Sequence, residues 1–457
     1  MPAGINRKLF VKFKIFKTNF MLASFLLNQS VPLIFGIRIE FILFGLTLLG
    51  VALFHRQTLW VALCGLAAIL LFKYIFISGF DVTEPLFGHI PMADQIMDKH
   101  QRVGEWSTLL NLLGLLIGFA LLARHFEQSR IPEYLPKFLP NDWKGPLVLL
   151  VAVFFMSSFL DNIAAAMIGG TIALVVFKGK VHIGYLAAIV AASNAGGSGS
   201  VVGDTTTTLM WIEGVHPFNV FHAYVAAFAA LAFFGVFAAR QQDRFQQIVA
   251  DVTPGLTIDW WRFIIVALIL AFTIATNILF DFPALGVWVA LLLGAFIRRP
   301  DWKEAVHAIP GAIFLVSLVT CASLMPVEEL PAASWQTAFS LGFVSSVFDN
   351  IPLTKLALEQ NGYDWGMLAY TVGFGGSMIW FGSSAGVAIS GKFEEARSVV
   401  KWLKEGWHVA VAYVIGFFIL LGIVGWDPEV IPKKSGKAAA VQQTEAPVPQ
   451  PATTDSK

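Results

Sequence analysis

Long uninterrupted runs of apolar residues dominate the chain and predict membrane-spanning α-helices. A helix needs about 20 mostly apolar residues to cross a bilayer, and its backbone N–H and C=O groups must be bonded within the chain. Strands of a membrane barrel alternate apolar and polar residues, and these runs do not alternate. Full spans are predicted at 32–54, 59–80, 107–122, 183–212, 217–239, 260–280, 283–297, 309–325, 366–391 and 407–424.

Two further apolar segments, 145–177 and 339–359, are interrupted in the middle by polar residues. Each is predicted to form a re-entrant helical hairpin, with Asp161 and Asn162 at the tip of the first and Asp349 and Asn350 at the tip of the second. Pro352 fits a helix that starts at the second tip, because proline suits a first helical turn and disrupts a helix interior. Glycines interrupt the spans 183–212 and 366–391, which predicts two discontinuous helices.

The order of these elements repeats along the chain. Three spans, a short amphipathic connector (132–140, then 327–335), a hairpin, a broken span and a plain span occur twice. The sequence SSFLDNI at 157–163 parallels SSVFDNI at 345–351, and Gly-Gly-Ser occurs at 196–198 and at 375–377. Each unit has five full crossings, an odd number, so the second copy must be inverted relative to the first. Inverted repeats with broken helices are typical of secondary transporters.

The predicted fold is therefore an all-α polytopic membrane protein with about 10–11 transmembrane helices in two inverted repeats. The first repeat covers residues 31–240 and the second covers residues 241–429. Residues 1–30 are basic and then apolar, which predicts either a targeting segment or an extra helix. Residues 430–457 turn to Lys, Ala, Gln, Pro, Thr and Ser and are predicted to be a disordered tail.

Composition supports a membrane protein and excludes several other classes. Only 13% of the residues are charged and the mean hydropathy is +0.70, whereas soluble domains carry charge at about a quarter of positions. A net charge of +1 gives no reason to expect a nucleic-acid partner. The chain has no P-loop, no His-Glu-x-x-His and no Gly-x-Ser-x-Gly motif. We therefore expect no enzymatic activity and no cofactor, with Na⁺ only as a transported ion.

The loops on the two faces of this predicted map differ in charge. One face carries 17 Lys and Arg residues, in the loops 124–144, 178–180, 240–262, 298–303 and 392–404 and at Arg56, and the opposite short loops carry Lys99 and Arg102. Positive charge favours the cytoplasmic side, so the basic face is predicted to be cytoplasmic in an inner or plasma membrane. The first hairpin then opens to the cytoplasm and the second to the outside.

Ionisable residues inside membranes cost about 2.5–3.5 kcal/mol or more, so they are hypotheses for function. Asp161, Asp204 and Asp349 all lie at predicted breaks; the alternative is that they only cap helices, since Asp is a good N-cap. Hard cations prefer oxygen ligands, and unwound backbone supplies them. The site residues predicted for Na⁺ are Ser157, Asp161, Asn162, Gly203 and Asp204 in the first repeat and Ser345, Asp349, Asn350, Gly382 and Ser383 in the second.

The glycines at the breaks allow positive φ angles, and the alternative role for them is close helix packing; we favour a role in the site. Burial favours the protonated form of a carboxylate and a nearby cation favours the ionised form. A single carboxylate that binds either a proton or Na⁺ is a sufficient basis for antiport. Lys355 has no counterpart in the first hairpin. It is interpreted as a side chain that extends to the membrane interface or as a counter-ion that tunes Asp349.

Four stretches resemble the NhaD-type sodium/proton antiporters of the ion transporter superfamily, which also contains arsenite efflux and citrate or dicarboxylate carriers. They are SFLDNI at 158–163, NAGGSGSVVGDTTTTLMW at 194–211, FDNIP at 348–352 and GFGGSMIWFGSSAGVA at 373–388. The resemblance implies a scaffold domain, a moving transport domain with both hairpins, a homodimer and elevator-like alternating access. It also implies ion binding at Asp161, Asn162, Asp204, Asp349 and Asn350.

Sodium/dicarboxylate relatives carry Ser-Asn-Thr at each hairpin tip, where this chain has Asp-Asn-Ile. An acid replaces the serine and an apolar residue replaces the threonine that helps hold a substrate carboxylate, which favours a cation as the only substrate. Sodium/proton antiport is therefore the first hypothesis. The alternative is a Na⁺- or H⁺-coupled carrier of citrate or another organic anion, with Lys355 as the anion-binding cation; arsenite or other oxyanion efflux is a weaker alternative.

Overall fold

The computed structural model of the protein describes residues 33–77, 79–249 and 256–432. The predicted N-terminal segment, residues 1–30, and the tail from residue 433 onward lie outside the described residues. Both predictions therefore stay predictions.

Helices account for nearly all regular structure in the described residues. They are α1 (Ile39–Leu53), α2 (Thr58–Phe76), α3 (Thr83–Phe87), α4 (Met92–Met97), α5 (Trp106–Gln128), α6 (Ile131–Tyr134), α7 (Lys144–Ser157), α8 (Asn162–Val176), α9 (Ile183–Ser198), α10 (Thr205–Ile212), α11 (Pro217–Phe221), α12 (Ala223–Phe245), α13 (Trp260–Phe280), α14 (Pro283–Ala295), α15 (Trp302–Ser323), α16 (Trp335–Ser345), α17 (Asn350–Gln360), α18 (Trp365–Gly375), α19 (Ser384–Lys392), α20 (Val399–Glu405) and α21 (Trp407–Ile423). Short 3₁₀ turns cover Lys99–Gln101, Leu135–Phe138, Val327–Glu329 and Glu394–Arg397.

The start of the first predicted span, 32–54, is wrong. Residues 33–38 form a small antiparallel hairpin of β1 (Leu33–Ile34) and β2 (Ile37–Arg38), and the helix begins only at Ile39. The turn between the strands has φ angles of 54° at Phe35 and 80° at Gly36. A right-handed helix cannot pass through two positive φ angles, so the apolar pattern overestimates the length of this helix.

Several helices are long and apolar enough to cross a bilayer, which confirms an all-α polytopic membrane protein. Among the described residues they are Thr58–Phe76, Trp106–Gln128, Pro217–Phe245, Trp260–Phe280 and Trp302–Ser323. Val399–Glu405 and Trp407–Ile423 pass the same test together and meet at a bend of 60°. Four more apolar helices, α1, α7, α8 and α14, have 10–17 residues. The total of 10–11 crossings and the inversion of the second repeat stay predictions.

The helices pack as two groups that are joined at a limited set of contacts. The first helix group contains α1, α2, α5, α13, α14 and α15. The second helix group contains α7–α10, α12, α16–α19 and α21. The two groups meet chiefly where α17 packs on α15 and where α10 packs on α5. Each group takes helices from both predicted repeats, so the packing groups do not follow the division at residue 240.

The breaks predicted in both hairpin segments and in both discontinuous helices are present, and all of them lie in the second helix group. Helices α7 and α8 cover the first predicted hairpin, and α16 and α17 cover the second. The broken helices are α9 with α10 and α18 with α19. Each hairpin also contacts the broken helix of the other half, because α8 packs on α19 and α17 packs on α10. This exchange of contacts brings the four interruptions of the helices toward one region.

Candidate functional site

The two hairpin tips are built alike around an aspartate that caps the second helix. At the first tip, Oδ2 of Asp161 accepts a hydrogen bond from the backbone N–H of Ile163 at 3.2 Å. At the second, Oδ1 of Asp349 accepts one from Ile351 at 3.0 Å. The capping role is therefore real, and it uses one oxygen of each carboxylate. Both aspartates are only partly buried.

A cap also begins the second half of each broken helix. Asp204 accepts hydrogen bonds at Oδ1 from the backbone N–H and the hydroxyl of Thr206, both at 2.8 Å. Ser383 accepts one from the N–H of Gly386 at 3.3 Å. Asp204 in the first repeat and Ser383 in the second thus cap helices at corresponding positions.

Asn162 and Asn194 connect these pieces into one buried network. The amide nitrogen of Asn162 lies 3.1 Å from Oδ2 of Asp204 and 3.0 Å from the side-chain oxygen of Asn194. The amide nitrogen of Asn194 in turn donates to the hydroxyls of Ser377 at 2.9 Å and Ser383 at 3.2 Å. All five side chains are at most 3% exposed. The network links the first hairpin, both breaks and the end of α18.

Asn194 is the site residue that sequence reasoning missed. It lies within the motif at 194–211 but inside helix α9, nine residues before Gly203 at the end of the break, so no helix interruption marks it. Gly373 is its counterpart when the two Gly-Gly-Ser runs are aligned. A Cβ on Gly373 would lie 3.5 Å from Oδ2 of Asp204. A polar residue in the middle of an otherwise apolar helix was the available signal.

The predicted serine ligands differ between the halves. The hydroxyl of Ser157 lies 3.4 Å from the carbonyl oxygen of Gly203, which brings those two predicted residues together. The hydroxyl of Ser345 instead donates to the carbonyl of Val372 at 2.6 Å. Asn350 is buried at the start of α17.

The carbonyl groups at the breaks differ in whether they already accept hydrogen bonds from the helix that follows. The carbonyls of Asp204 and Ser383 accept the first N–H bonds of α10 and α19, at 2.9 and 3.0 Å. Two threonine hydroxyls of the 205–208 run also donate to the Asp204 carbonyl. Because these carbonyls already serve the helices, those of Gly203 and Gly382 are the stronger candidates to bind a cation.

The glycines at the breaks permit close packing, and none of them uses the positive φ angle that glycine allows: the described glycines with positive φ lie elsewhere. A Cβ on Gly196 would lie 2.0 Å from the carbonyl oxygen of Phe154, and one on Gly203 would lie 2.1 Å from that of Ser157. In the second half, a Cβ on Gly375 would lie 2.3 Å from the carbonyl oxygen of Gly342, and one on Gly382 would lie 2.5 Å from that of Ser346. Each hairpin backbone therefore touches its broken helix at two points where only glycine fits.

A cavity of about 1120 Å³ reaches the site from one side. Its lining includes Asp161 and Asp349 from the two tips and Thr205, Ser383 and Ser384 from the two breaks. Asp204 is not among the lining residues that the structure describes, so it lies behind the surface that the cavity presents. The cavity makes two carboxylates from opposite halves of the chain accessible from one space.

Charged groups also line this cavity away from the helix breaks. They include Arg124, Glu127, Glu304 and Lys392. The guanidinium of Arg124 is paired with Glu127 at 2.5 Å and with Asp301 at 3.3 Å. The ammonium of Lys392 lies 2.6 Å from the hydroxyl of Thr171. Several of these residues belong to the loops that the charge count assigns to the cytoplasmic face.

Lys355 does not extend to an interface, so that interpretation is wrong. Its side chain is 1% exposed and its ammonium contacts three glutamates: Glu105 at 2.8 Å, Glu213 at 2.5 Å and Glu359 at 2.9 Å. Burial of a lone ammonium would be very costly, and the carboxylates compensate for it. The alternative role as a counter-ion to Asp349 also loses support, because these glutamates engage the ammonium.

Comparison with known proteins agrees with the motifs. The family model described as "Citrate transporter" matches residues 41–375. The Na(+)/H(+) antiporter NhaD of Alkalimonas amylolytica is 24% identical over 330 residues, which are 59% of this chain and 67% of that protein. The protein of the same name from Vibrio cholerae is 25% identical over 59% of this chain and 68% of its own length. Sodium/proton antiporter 1 of Arabidopsis thaliana is 26% identical over 52% and 48%.

These findings confirm the resemblance drawn from the motifs at the two hairpins and the two breaks. The matched residues include the first hairpin, the first broken helix and the second hairpin. Together with the apolar helices, they establish an integral membrane protein from a group of transporters. The chain belongs to the citrate transporter family.

Proposed function

We propose that this protein is a secondary transporter that exchanges Na⁺ for H⁺. The observation that carries the proposal is that Asp161 and Asp349 line the same cavity at the tips of two matching hairpins. Each uses one carboxylate oxygen to cap a helix, and Thr205, Ser383 and Ser384 of the two breaks line the same cavity. Oxygen atoms of this kind are the ligands that a hard cation such as Na⁺ prefers.

The same two carboxylates couple the movement of Na⁺ to the movement of H⁺. Burial disfavours the charged carboxylate, and a bound cation favours it, so Na⁺ and a proton compete for the group. A site that releases its proton when Na⁺ binds moves the two ions in opposite directions as it alternates between the sides of the membrane. Asp204 supports this site from behind, since its oxygens hold Asn162 and the start of α10.

Alternating access is a movement of the second helix group relative to the first. The first group is the scaffold, and the second is the moving transport domain, because it contains both hairpins and both broken helices. The elevator-like movement, the inverted orientation of the second repeat and assembly as a homodimer in the plasma membrane are parts of this proposal. The curated relatives named as antiporters support the choice of Na⁺ and H⁺.

The family description keeps an organic anion such as citrate as the second candidate substrate. A di- or tricarboxylate needs cationic partners, whereas the hairpin tips present two acids to the cavity. Lys355, the cation expected to serve an anion, is held by three glutamates. The charges at the tips therefore favour a cation.

Proteoliposomes with an acidic interior and an internal pH-sensitive dye test the proposal. Na⁺, Li⁺, K⁺ or citrate is added outside, and Asp161→Asn and Asp349→Asn are compared with Asp142→Asn, which changes an exposed aspartate that accepts a hydrogen bond from the N–H of Lys144. We expect Na⁺ or Li⁺ to raise the internal pH, and we expect this response to disappear in the two tip variants only. Saturable Na⁺-dependent citrate uptake without a response to cations alone would contradict antiport.

A further inference from the structure

The three glutamates around Lys355 come from three different parts of the fold. Lys355 and Glu359 lie four residues apart on α17, and Glu213 directly follows α10. Glu105 directly precedes α5. All four side chains are buried or nearly so, with 1% exposure for Lys355 and 9–14% for the glutamates. A network of this kind is specific, because each charge depends on the others for compensation.

One contact in this network joins the two helix groups. Lys355, Glu359 and Glu213 all belong to the second helix group, whereas Glu105 belongs to the first through α5. The 2.8 Å contact between Lys355 and Glu105 therefore crosses the boundary, and the contact between Lys355 and Glu359 stays within one helix. The crossing contact lies where α10 packs on α5 and near where α17 packs on α15.

Both helices that the network fixes also begin in the candidate site. Helix α17 starts after the cap Asp349, and Lys355 is six positions after that cap, about 9 Å along the axis. Helix α10 starts after the cap Asp204 and ends at Glu213. A change in the position of either helix relative to α5 would move the crossing contact and the site together.

We propose that the Lys355–Glu105 ion pair is a latch between the two helix groups that stabilises the arrangement in which the cavity reaches Asp161 and Asp349. Movement of the second group past α5 must separate the pair: Lys355 would keep Glu213 and Glu359, and the Glu105 carboxylate would lose the ammonium. A buried ion pair adds little to overall stability but can select between two packed arrangements. The latch rests on the proposed alternating access, but its test does not require transport.

The test measures how readily a reagent enters the cavity. Ala164, which lines the cavity, is changed to cysteine after Cys64 and Cys321 are replaced by alanine. The rate of reaction with a water-soluble maleimide is then measured in purified full-length protein without Na⁺. Glu105→Gln removes the crossing charge. Glu359→Gln is the matched control, because it removes a charge from the same ammonium without affecting the crossing contact.

We expect Glu105→Gln to slow the labelling of the cysteine, because the arrangement with the open cavity becomes less populated. The ratio of the two arrangements should shift by about fivefold or more, which is the lower end of typical coupling between sites. Glu359→Gln should label at close to the parent rate. Glu105→Asp keeps the crossing charge on a shorter side chain and should restore much of the parent rate. This conservative variant also keeps the test informative if Glu105→Gln folds poorly.

Equal labelling in the parent and in folded Glu105→Gln would overturn the latch, and so would an equal slowing in Glu359→Gln. Failure of the latch leaves the proposed function intact, since Na⁺-driven proton movement would persist in the liposomes. If Na⁺ moves no protons in the liposomes but Glu105→Gln still slows the labelling, the latch belongs to a carrier for another substrate.

Discussion

The amide nitrogen of Asn194 lies 3.2 Å from the hydroxyl oxygen of Ser383. Asn194 belongs to the broken helix of the first half, and Ser383 begins the second part of the broken helix of the other half. This contact joins the two predicted repeats through side chains at their centre. It explains how two separate interruptions of the chain become one site on one cavity.

Replacement of Asn194 by alanine should destabilise the protein and weaken ion binding. It removes the acceptor for Asn162 and the donor for Ser377 and Ser383, and buried polar groups without partners cost about 1–3 kcal/mol. Thermal unfolding in detergent and the Na⁺ dependence of proton movement measure the two effects. Ser193→Ala is the control, since Ser193 bonds only to the carbonyl of Val190 among the contacts described. Equal effects in both variants would count against a central role for Asn194.

Asp204 and Asp161 should respond differently to replacement by asparagine. Both oxygens of Asp204 accept hydrogen bonds, and an amide nitrogen at Oδ2 would face the amide nitrogen of Asn162. Asp204→Asn is therefore expected to lower the free energy of unfolding by about 1–3 kcal/mol. Asp161→Asn should keep its cap and its stability and lose transport. Unfolding curves that shift equally for both variants would show that the two acids have the same role.

Gly203→Ala should disrupt the contact between the first hairpin and its broken helix. The new Cβ would lie 2.1 Å from the carbonyl oxygen of Ser157, and a backbone contact of this kind cannot relax by a side-chain rotation. We expect a clear fall in melting temperature and in transport. Gly422→Ala is the control, because it lies in α21 with no atom within 4 Å of the new Cβ, and alanine favours a helix by up to about 1 kcal/mol. An unchanged melting temperature for Gly203→Ala would contradict the close packing.

Lys392→Met distinguishes a cation from an anion as the transported ion. Lys392 lines the cavity, and its charge opposes the approach of cations and favours that of anions. For Na⁺ transport, the variant should lower the apparent KM at low ionic strength, and the effect should shrink with added inert salt. Lys404→Met changes an exposed lysine that is not part of the described lining and should have little effect. A raised apparent KM for citrate in Lys392→Met would support the organic-anion alternative.

Most of the fold could be predicted because its signals are local. Apolar runs mark the helices, and Asp161 and Asp349 mark the hairpin tips, where they cap the helices that follow. The hairpin at residues 33–38 was missed because a tight turn at Phe35 and Gly36 contains no polar residue. Periodicity cannot reveal a break that is made by backbone angles alone.

Long-range partners were the part of the site that could not be predicted. The three glutamates around Lys355 are separated from it by 4, 142 and 250 positions, and only Glu359 has a helical spacing to it. Asn194 is likewise identified by contacts with residues from both halves of the chain. The sequence shows which polar residues lie in apolar helices, but packing decides which of them meet.

Calorimetry of Na⁺ binding to the purified protein tests most directly the claim that Asp161 and Asp349 bind either Na⁺ or protons. Titration in two buffers of different ionisation enthalpy gives the number of protons released per Na⁺ bound. We predict proton release that becomes smaller in Asp161→Asn and in Asp349→Asn and is absent when both are changed. Na⁺ binding without proton release in the unmodified protein, or with undiminished release in the double variant, would contradict the claim.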